Sequence, residues 1–111
     1  QTVNYPGLKT DKYHALAEKY LPNGCSGVVS FEIKGGREAA EKFMTNLKLI
    51  AIETHVADAK SCCLCPSITT QRQLTDEQLI EAGVSAGLVR VSLGIEDAED
   101  LLEDIKQALE A

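Results

Sequence analysis

Between Val29 and Leu47 the apolar residues change their period, and that change limits what the chain can fold into. Val29, Phe31 and Ile33 alternate with Ser30, Glu32 and Lys34, the pattern of a strand with one face buried. Gly35-Gly36 interrupts it, and Ala39, Ala40, Phe43, Met44 and Leu47 then recur at helical spacing. A strand that turns directly into an amphipathic helix calls for a layered fold, in which the sheet face and the helix stripe cover one another.

The same two periods recur along the chain. Leu88 to Leu93 reads as a strand with Val89, Val91 and Leu93 on one face and Leu88, Arg90 and Ser92 on the other. A last helix is expected from Asp97, with Ala98, Leu101, Leu102, Ile105 and Ala108 on one stripe. Its acidic first turns, and Lys106 near its end, suit the helix dipole. Thr75 with Gln78 predicts a capping box for a short helix over 76–82, stopped by Gly83. Near the N-terminus, Val3 to Leu8 carries the turn signal Pro6-Gly7. Thr10 is then placed to cap a helix bearing Tyr13, Leu16, Ala17 and Tyr20, which Pro22-Asn23-Gly24 ends. Leu49 to Ile52 and Ser61 to Cys65 are short strand candidates with no helix between them. Uneven strand spacing and one strand-to-strand step predict an α+β fold: a small, mostly antiparallel sheet with helices on one face. Its other face is left for a partner domain.

A chain of 111 residues suits one domain with a modest core. Seventeen acidic residues against eleven basic ones, a net charge of −6, argue against a nucleic-acid binder, which needs a basic stripe. Three Tyr, two Phe and no Trp make no base-stacking platform. No run approaches the roughly 20 apolar residues of a membrane span, and no signal peptide is visible. The sequence opens on Gln1 without Met and reads as part of a longer chain. Cys62, Cys63 and Cys65 are too close together to staple distant elements, which favours a reduced, cytoplasmic protein.

Four features invite chemistry. The three clustered cysteines could serve a metal, but on a strand Cys62 faces away from Cys63 and Cys65, and no second ligand pair is spaced to help them. A plain apolar strand is the better reading, and no metal is expected. Gly35-Gly36-Arg37 opens a helix, as a phosphate loop would, without the spacing of a known one, and reads as a strand-to-helix turn. His14 is expected on the surface, whereas His55, after a short apolar run, is equally a site residue or a loop residue. Arg90 stands mid-strand, where a guanidinium needs an anionic partner or a wet edge. By composition alone a local salt bridge or an exposed edge position is the better reading.

Several segments, taken in order, resemble a known family: Val-Asn-Tyr-Pro-Gly-Leu (3–8), Ser-Phe-Glu-Ile-Lys-Gly-Gly-Arg-Glu-Ala-Ala (30–40), Asp-Ala-Lys-Ser (58–61), Pro-Ser-Ile-Thr-Thr (66–70) and Leu-Val-Arg-Val-Ser-Leu-Gly-Ile-Glu-Asp (88–97). Together they resemble the C-terminal part of the Cys/Met-metabolism enzymes that use pyridoxal phosphate. Cystathionine γ-synthase, cystathionine γ-lyase, methionine γ-lyase and O-acetylhomoserine sulfhydrylase belong to that family, and the resemblance runs closest to the last. It spans essentially the whole chain.

The resemblance implies the small C-terminal domain, residues 1–111, of a fold type I enzyme. The cofactor lysine of such enzymes lies in a Ser-x-Thr-Lys motif, which this sequence lacks, so the large catalytic domain would lie outside it. These residues are then expected to include no catalytic and no cofactor-binding group, and to be inactive alone. The family places its α-carboxylate-binding arginine at Arg90. A planar fork on a carboxylate would fix the amino acid's orientation. Further substrate contacts are implied at His55, where Asn or Ser is usual, and at Thr70. The implied activity is replacement of the acetyl group of O-acetylhomoserine by sulfide to give homocysteine, in a homo-tetramer. A γ-synthase, a γ-lyase or a stand-alone binding module are the alternatives. The chain departs from the family at His55, at Cys62, Cys63 and Cys65, and at Gln71, where His is usual.

Overall fold

The computed structural model describes residues 2–111. Five strands, β1 (Thr2–Asn4), β2 (Val28–Glu32), β3 (Ala51–Ile52), β4 (Cys62–Leu64) and β5 (Leu88–Ser92), alternate with four helices. The helices are α1 (His14–Tyr20), α2 (Gly36–Asn46), α3 (Asp76–Glu81) and α4 (Ala98–Glu110). The strands form one sheet in the order β1-β2-β5-β4-β3, antiparallel throughout except for the parallel pair β3 and β4. This is the mostly antiparallel α+β arrangement that the periodicity predicts.

β5 lies at the centre. Val91 stands beside Val29 of β2 and Cys63 of β4, and Val89 beside Phe31. These residues share one face, and Cys63, Val89 and Val91, with Phe31 packed against them, meet Ala40, Phe43 and Met44 of α2 and Leu101 and Ala108 of α4 in a single buried cluster. Phe31 and Phe43 pack edge to face, with ring centroids 5.6 Å apart. Cys63 and Cys65 belong to this cluster and Cys62 does not, which is the division across two faces that strand geometry dictates.

The expected element boundaries shift where side chains compete for backbone groups. Thr10 caps nothing: α1 begins only at His14, with Tyr13 as N-cap and no side-chain cap. Asp11 instead accepts the Tyr13 N–H at 2.9 Å, which holds the preceding residues in turns. Of the stripe on α1 only Ala17 is buried, while Tyr13, Leu16 and Tyr20 are exposed. The strand expected over 49–52 shrinks to Ala51–Ile52 and that over 61–65 to Cys62–Leu64. Carboxylates take the amides that would have extended them. Asp104 accepts the N–H groups of Lys48, Leu49 and Ile50 at 2.8–2.9 Å, and Glu96 accepts that of Ser61 at 2.7 Å. Leu93 and Leu102, assigned to buried stripes by pattern, are exposed. Lys106 precedes the last turn of α4, which carries no base. The capping box forms as read: Thr75 Oγ1 accepts the Gln78 N–H, and Gln78 Oε1 accepts the Thr75 N–H at 2.9 Å.

Asp104 is buried on α4, yet its carboxyl is held below its ordinary value. Burial opposes ionisation, and the three amides of 48–50 with the Gln107 side chain outweigh it. Its folded value lies below the unfolded one. Its contribution to stability is therefore complete above the ordinary value of 3.8 and disappears as pH falls through the lower folded value. Asp104→Ala strands three amides and should destabilise the chain by about 2–4 kcal/mol, read as a lowered urea midpoint at pH 7. The gap between variant and parent should close as the pH is taken below 3.8, and a gap that stays constant there contradicts this role.

Candidate functional site

Alternation along β5 sends Arg90 to the face opposite α2 and α4, in register with Ser30 of β2 and Leu64 of β4. Ser92 follows on that face, beside Val28 and Cys62. The segment from Glu53 to Lys60, between β3 and β4, folds over this part of the sheet. Arg90 Nη2 donates to the carbonyls of Thr54 at 3.1 Å and His55 at 3.3 Å. The Cys62 thiol donates to the same His55 carbonyl at 3.0 Å, and Ser92 Oγ accepts the Ala57 N–H at 3.0 Å.

Arg90 has no carboxylate within ion-pair distance among the described residues, so the local salt bridge that composition allows does not form. Its Nε is buried and has no protein partner. The partners of this half-buried guanidinium are carbonyls, which leave its charge uncompensated.

The three residues expected at the site are placed differently. Arg90 and His55 meet, but through the His55 carbonyl. Its imidazole Nδ1 lies 3.4 Å from Glu53 and 3.9 Å from Asp58, forming an exposed cluster of three potential ligand groups. Thr70 is exposed in the turn after β4 and makes no side-chain hydrogen bond among the described residues, whereas Thr69 donates to the Cys65 carbonyl. Arg37, next to the Gly35-Gly36 turn, is paired with Asp76 at 2.7 Å.

Residues that pattern reading passes over hold the site's edge. Glu96 accepts the Ser61 N–H and the Ser61 hydroxyl, each at 2.7 Å, and Ser61 Oγ accepts the Gly94 N–H at 2.7 Å. The hydrogen bonds from Ser61 hold the Glu96 carboxyl below its ordinary value. A Cβ at Gly94 would run into Ala59 O and Ser61 N, so the two strand ends approach this closely only with glycine there. The signal for this network was present in the quoted segments 58–61 and 88–97, which contain all its members.

Every lysine side chain is exposed. A lysine that forms a Schiff base needs a desolvated pocket, and within the described residues none of the eight has one. On the sheet face away from α2 and α4, Arg90 is the cation without a carboxylate partner among the described residues.

Comparisons with known proteins identify the family. The model of the Cys/Met metabolism PLP-dependent enzyme family matches residues 1–110. O-acetyl-L-homoserine sulfhydrylase of Leptospira meyeri is 49% identical over 108 residues, 96% of this chain and 24% of that protein. Cystathionine gamma-lyase of Bacillus subtilis is 44% identical over 110 residues, 99% of this chain and 28% of that protein. A Campylobacter jejuni structure described as an O-acetylhomoserine (thiol)-lyase, solved with N'-pyridoxyl-lysine-5'-monophosphate, superposes with a TM-score of 0.90 at 38% identity. It is covered over all of this chain and 26% of its own. The chain belongs to the Cys/Met metabolism family of pyridoxal-phosphate-dependent enzymes, and it spans about a quarter of the length of these relatives.

The four cysteines are free. Burial raises the Cys62 thiol and pushes Cys63 up to about 11, while Cys25 is only partly buried. At pH 8 a thiol near 11 is ionised to roughly one part in a thousand. Native protein treated with iodoacetamide at pH 8 should gain one adduct, at Cys25, with the other three sites reacting only after denaturation. Prompt modification of Cys62 or Cys63 in the native protein, mapped by peptide mass, would contradict this arrangement.

Proposed function

We propose that this chain is the C-terminal small domain of an O-acetylhomoserine sulfhydrylase, and that its task there is to hold the amino-acid substrate. The observation that carries the reading is Arg90, a half-buried guanidinium with a buried, unpartnered Nε and no counter-acid among the described residues. Membership of the family supplies the reaction class. The α-carboxylate of the amino acid is the anion that suits this cation. Thr54 and His55, whose carbonyls hold Nη2, steady the guanidinium, and Thr70, exposed in the turn after β4, is the further contact that the family resemblance implies.

In the full reaction, sulfide replaces the acetyl group of O-acetylhomoserine and gives homocysteine and acetate. Pyridoxal phosphate, held by the rest of the protein, supplies the electron sink. Arg90 orients the bound amino acid so that its reacting atoms face the cofactor, which is worth a large entropic advantage. The exposed apolar residues Val3, Tyr13, Leu16, Tyr20, Leu102 and Leu109 support the small-domain reading, since isolated soluble domains rarely expose so many. A γ-lyase would share Arg90, and the Bacillus subtilis relative keeps that alternative in play.

Two measurements on the full-length protein decide the matter. Incubation with O-acetylhomoserine and sulfide should release homocysteine faster than the protein cleaves cystathionine, and the reverse order would assign a γ-lyase. Arg90→Ala should lower kcat/KM by about 2–5 kcal/mol of transition-state binding, on the order of 30-fold to several thousand-fold. Arg90→Lys should restore only part of this, because an ammonium lacks the planar fork. Loss of thermal stability in Arg90→Ala with kcat/KM intact would end the carboxylate assignment.

A further inference from the structure

Arg90 can serve a ligand only if its guanidinium is held at a fixed angle, and the structure shows what holds it. Nη2 donates to consecutive carbonyls, those of Thr54 and His55, which leaves Nη1 for a ligand. Those carbonyls sit on a turn whose next tether is Ala57. Ala57 has φ +60°, the left-handed region that side-chain-bearing residues avoid. Such a conformation persists where neighbouring groups impose it. Ser92, two residues beyond Arg90 on the same strand face and 2% exposed, accepts the Ala57 N–H at 3.0 Å.

We propose that Ser92 is a positioning residue for Arg90: by holding the Ala57 amide it keeps the 54–57 turn in its left-handed shape, and so keeps the two carbonyls on Arg90 Nη2. The inference rests on the reading of Arg90 as the carboxylate-binding residue and adds to it the element that sets its aim. β5 supplies both the cation and, one strand repeat away, the anchor of the loop that orients it. The Cys62 thiol, next to Ser92 across the sheet, adds a second tether by donating to the His55 carbonyl at 3.0 Å.

The test uses the full-length holoenzyme and compares Ser92→Ala, Ser92→Cys, Ala57→Gly and the double variant Ser92→Ala/Ala57→Gly, with Arg90→Ala as reference. Ser92→Ala should raise the KM for the amino-acid substrate about tenfold, the usual scale for a residue that orients a binding group, with a smaller change in kcat. Glycine enters the left-handed region without strain. Adding Ala57→Gly to Ser92→Ala should therefore recover much of the KM, although it restores no hydrogen bond. A residue that served stability alone would lower the melting temperature equally in both and leave KM unmoved, and that pattern overturns the proposal. Should Ser92→Ala not fold, Ser92→Cys, near in size and a weaker acceptor, should still raise KM, and an unchanged KM there overturns the proposal too. Arg90→Ala separates the two levels. If it leaves KM and kcat unchanged, the carboxylate reading itself fails. If it abolishes substrate binding while the Ser92 variants bind normally, only the positioning role fails.

Discussion

Burial of Val89 and Val91 governs the rest of the structure. Side chains on a strand alternate, so two valines driven into the cluster with α2 and α4 leave Arg90 and Ser92 nowhere to go but the opposite face. A slip of one residue in β5 would bury the guanidinium among Phe43, Met44 and Leu101 and expose the valines, which the hydrophobic term forbids. β5 is also the central strand, paired with β2 over all five residues and with β4 from Arg90 to Ser92, so its direction is held by two neighbours at once. Core packing and ligand orientation are thus set by one five-residue segment.

Two carboxylates carry the positioning beyond the strand. Glu96, just past β5, ties down Ser61 at the entrance to β4, and the contact works because Gly94 lets the backbones meet. Asp104, two turns further along α4, gathers the three amides that lead into β3. The segment that covers Arg90 runs from the end of β3 to the start of β4; Glu96 fastens its far end at Ser61, and Asp104 fastens the residues that lead into β3. Both acids sit C-terminal to β5, and neither touches the candidate ligand. A charged group bound to several amides is a strong anchor because ionic hydrogen bonds are about twice as strong as neutral ones. The acidic balance of the chain is in part spent on this fastening rather than on a partner surface.

What could be read from the sequence follows the distance over which each signal acts. The capping box at Thr75 and Gln78 was legible because both partners lie within one turn, and the two faces of β4 and β5 were legible because alternation is local. Thr10 failed as a cap because Asp11, one residue on, competes for the nearby amides, and propensity alone does not rank the two. The shortened β3 and β4 failed for the opposite reason. Their amides are claimed by Asp104 and Glu96, dozens of residues away, and no periodicity announces such a pairing. At the site, the mid-strand position of Arg90 was visible, and so was the demand for a partner. That the partners would be two carbonyls of a distant loop, and that Ser92 would hold that loop, depends on how the chain returns over the sheet. His55 was singled out for its imidazole and meets Arg90 through its backbone, a role any residue type can fill.

This last point bears on how the chain tolerates its departures from the family. Where a loop contacts the arginine through carbonyls, the side chains at 54 and 55 are free to vary, and the acids Glu53 and Asp58 lie against His55 rather than within ion-pair distance of the guanidinium. That separation matters. An acid placed against Arg90 would satisfy it permanently, and a substrate carboxylate would then have to displace a charge of its own sign. Carbonyls hold the same guanidinium through dipoles, which fix its direction without cancelling its charge. The cost is a cation kept partly out of water with an unfilled Nε, and such a cost is borne where an anion completes the set. The cysteines fit the same logic. Cys63 and Cys65 fill core volume as small apolar groups, while Cys62, neutral because burial raises its thiol, can lie beneath the His55 carbonyl without placing a negative charge near Arg90.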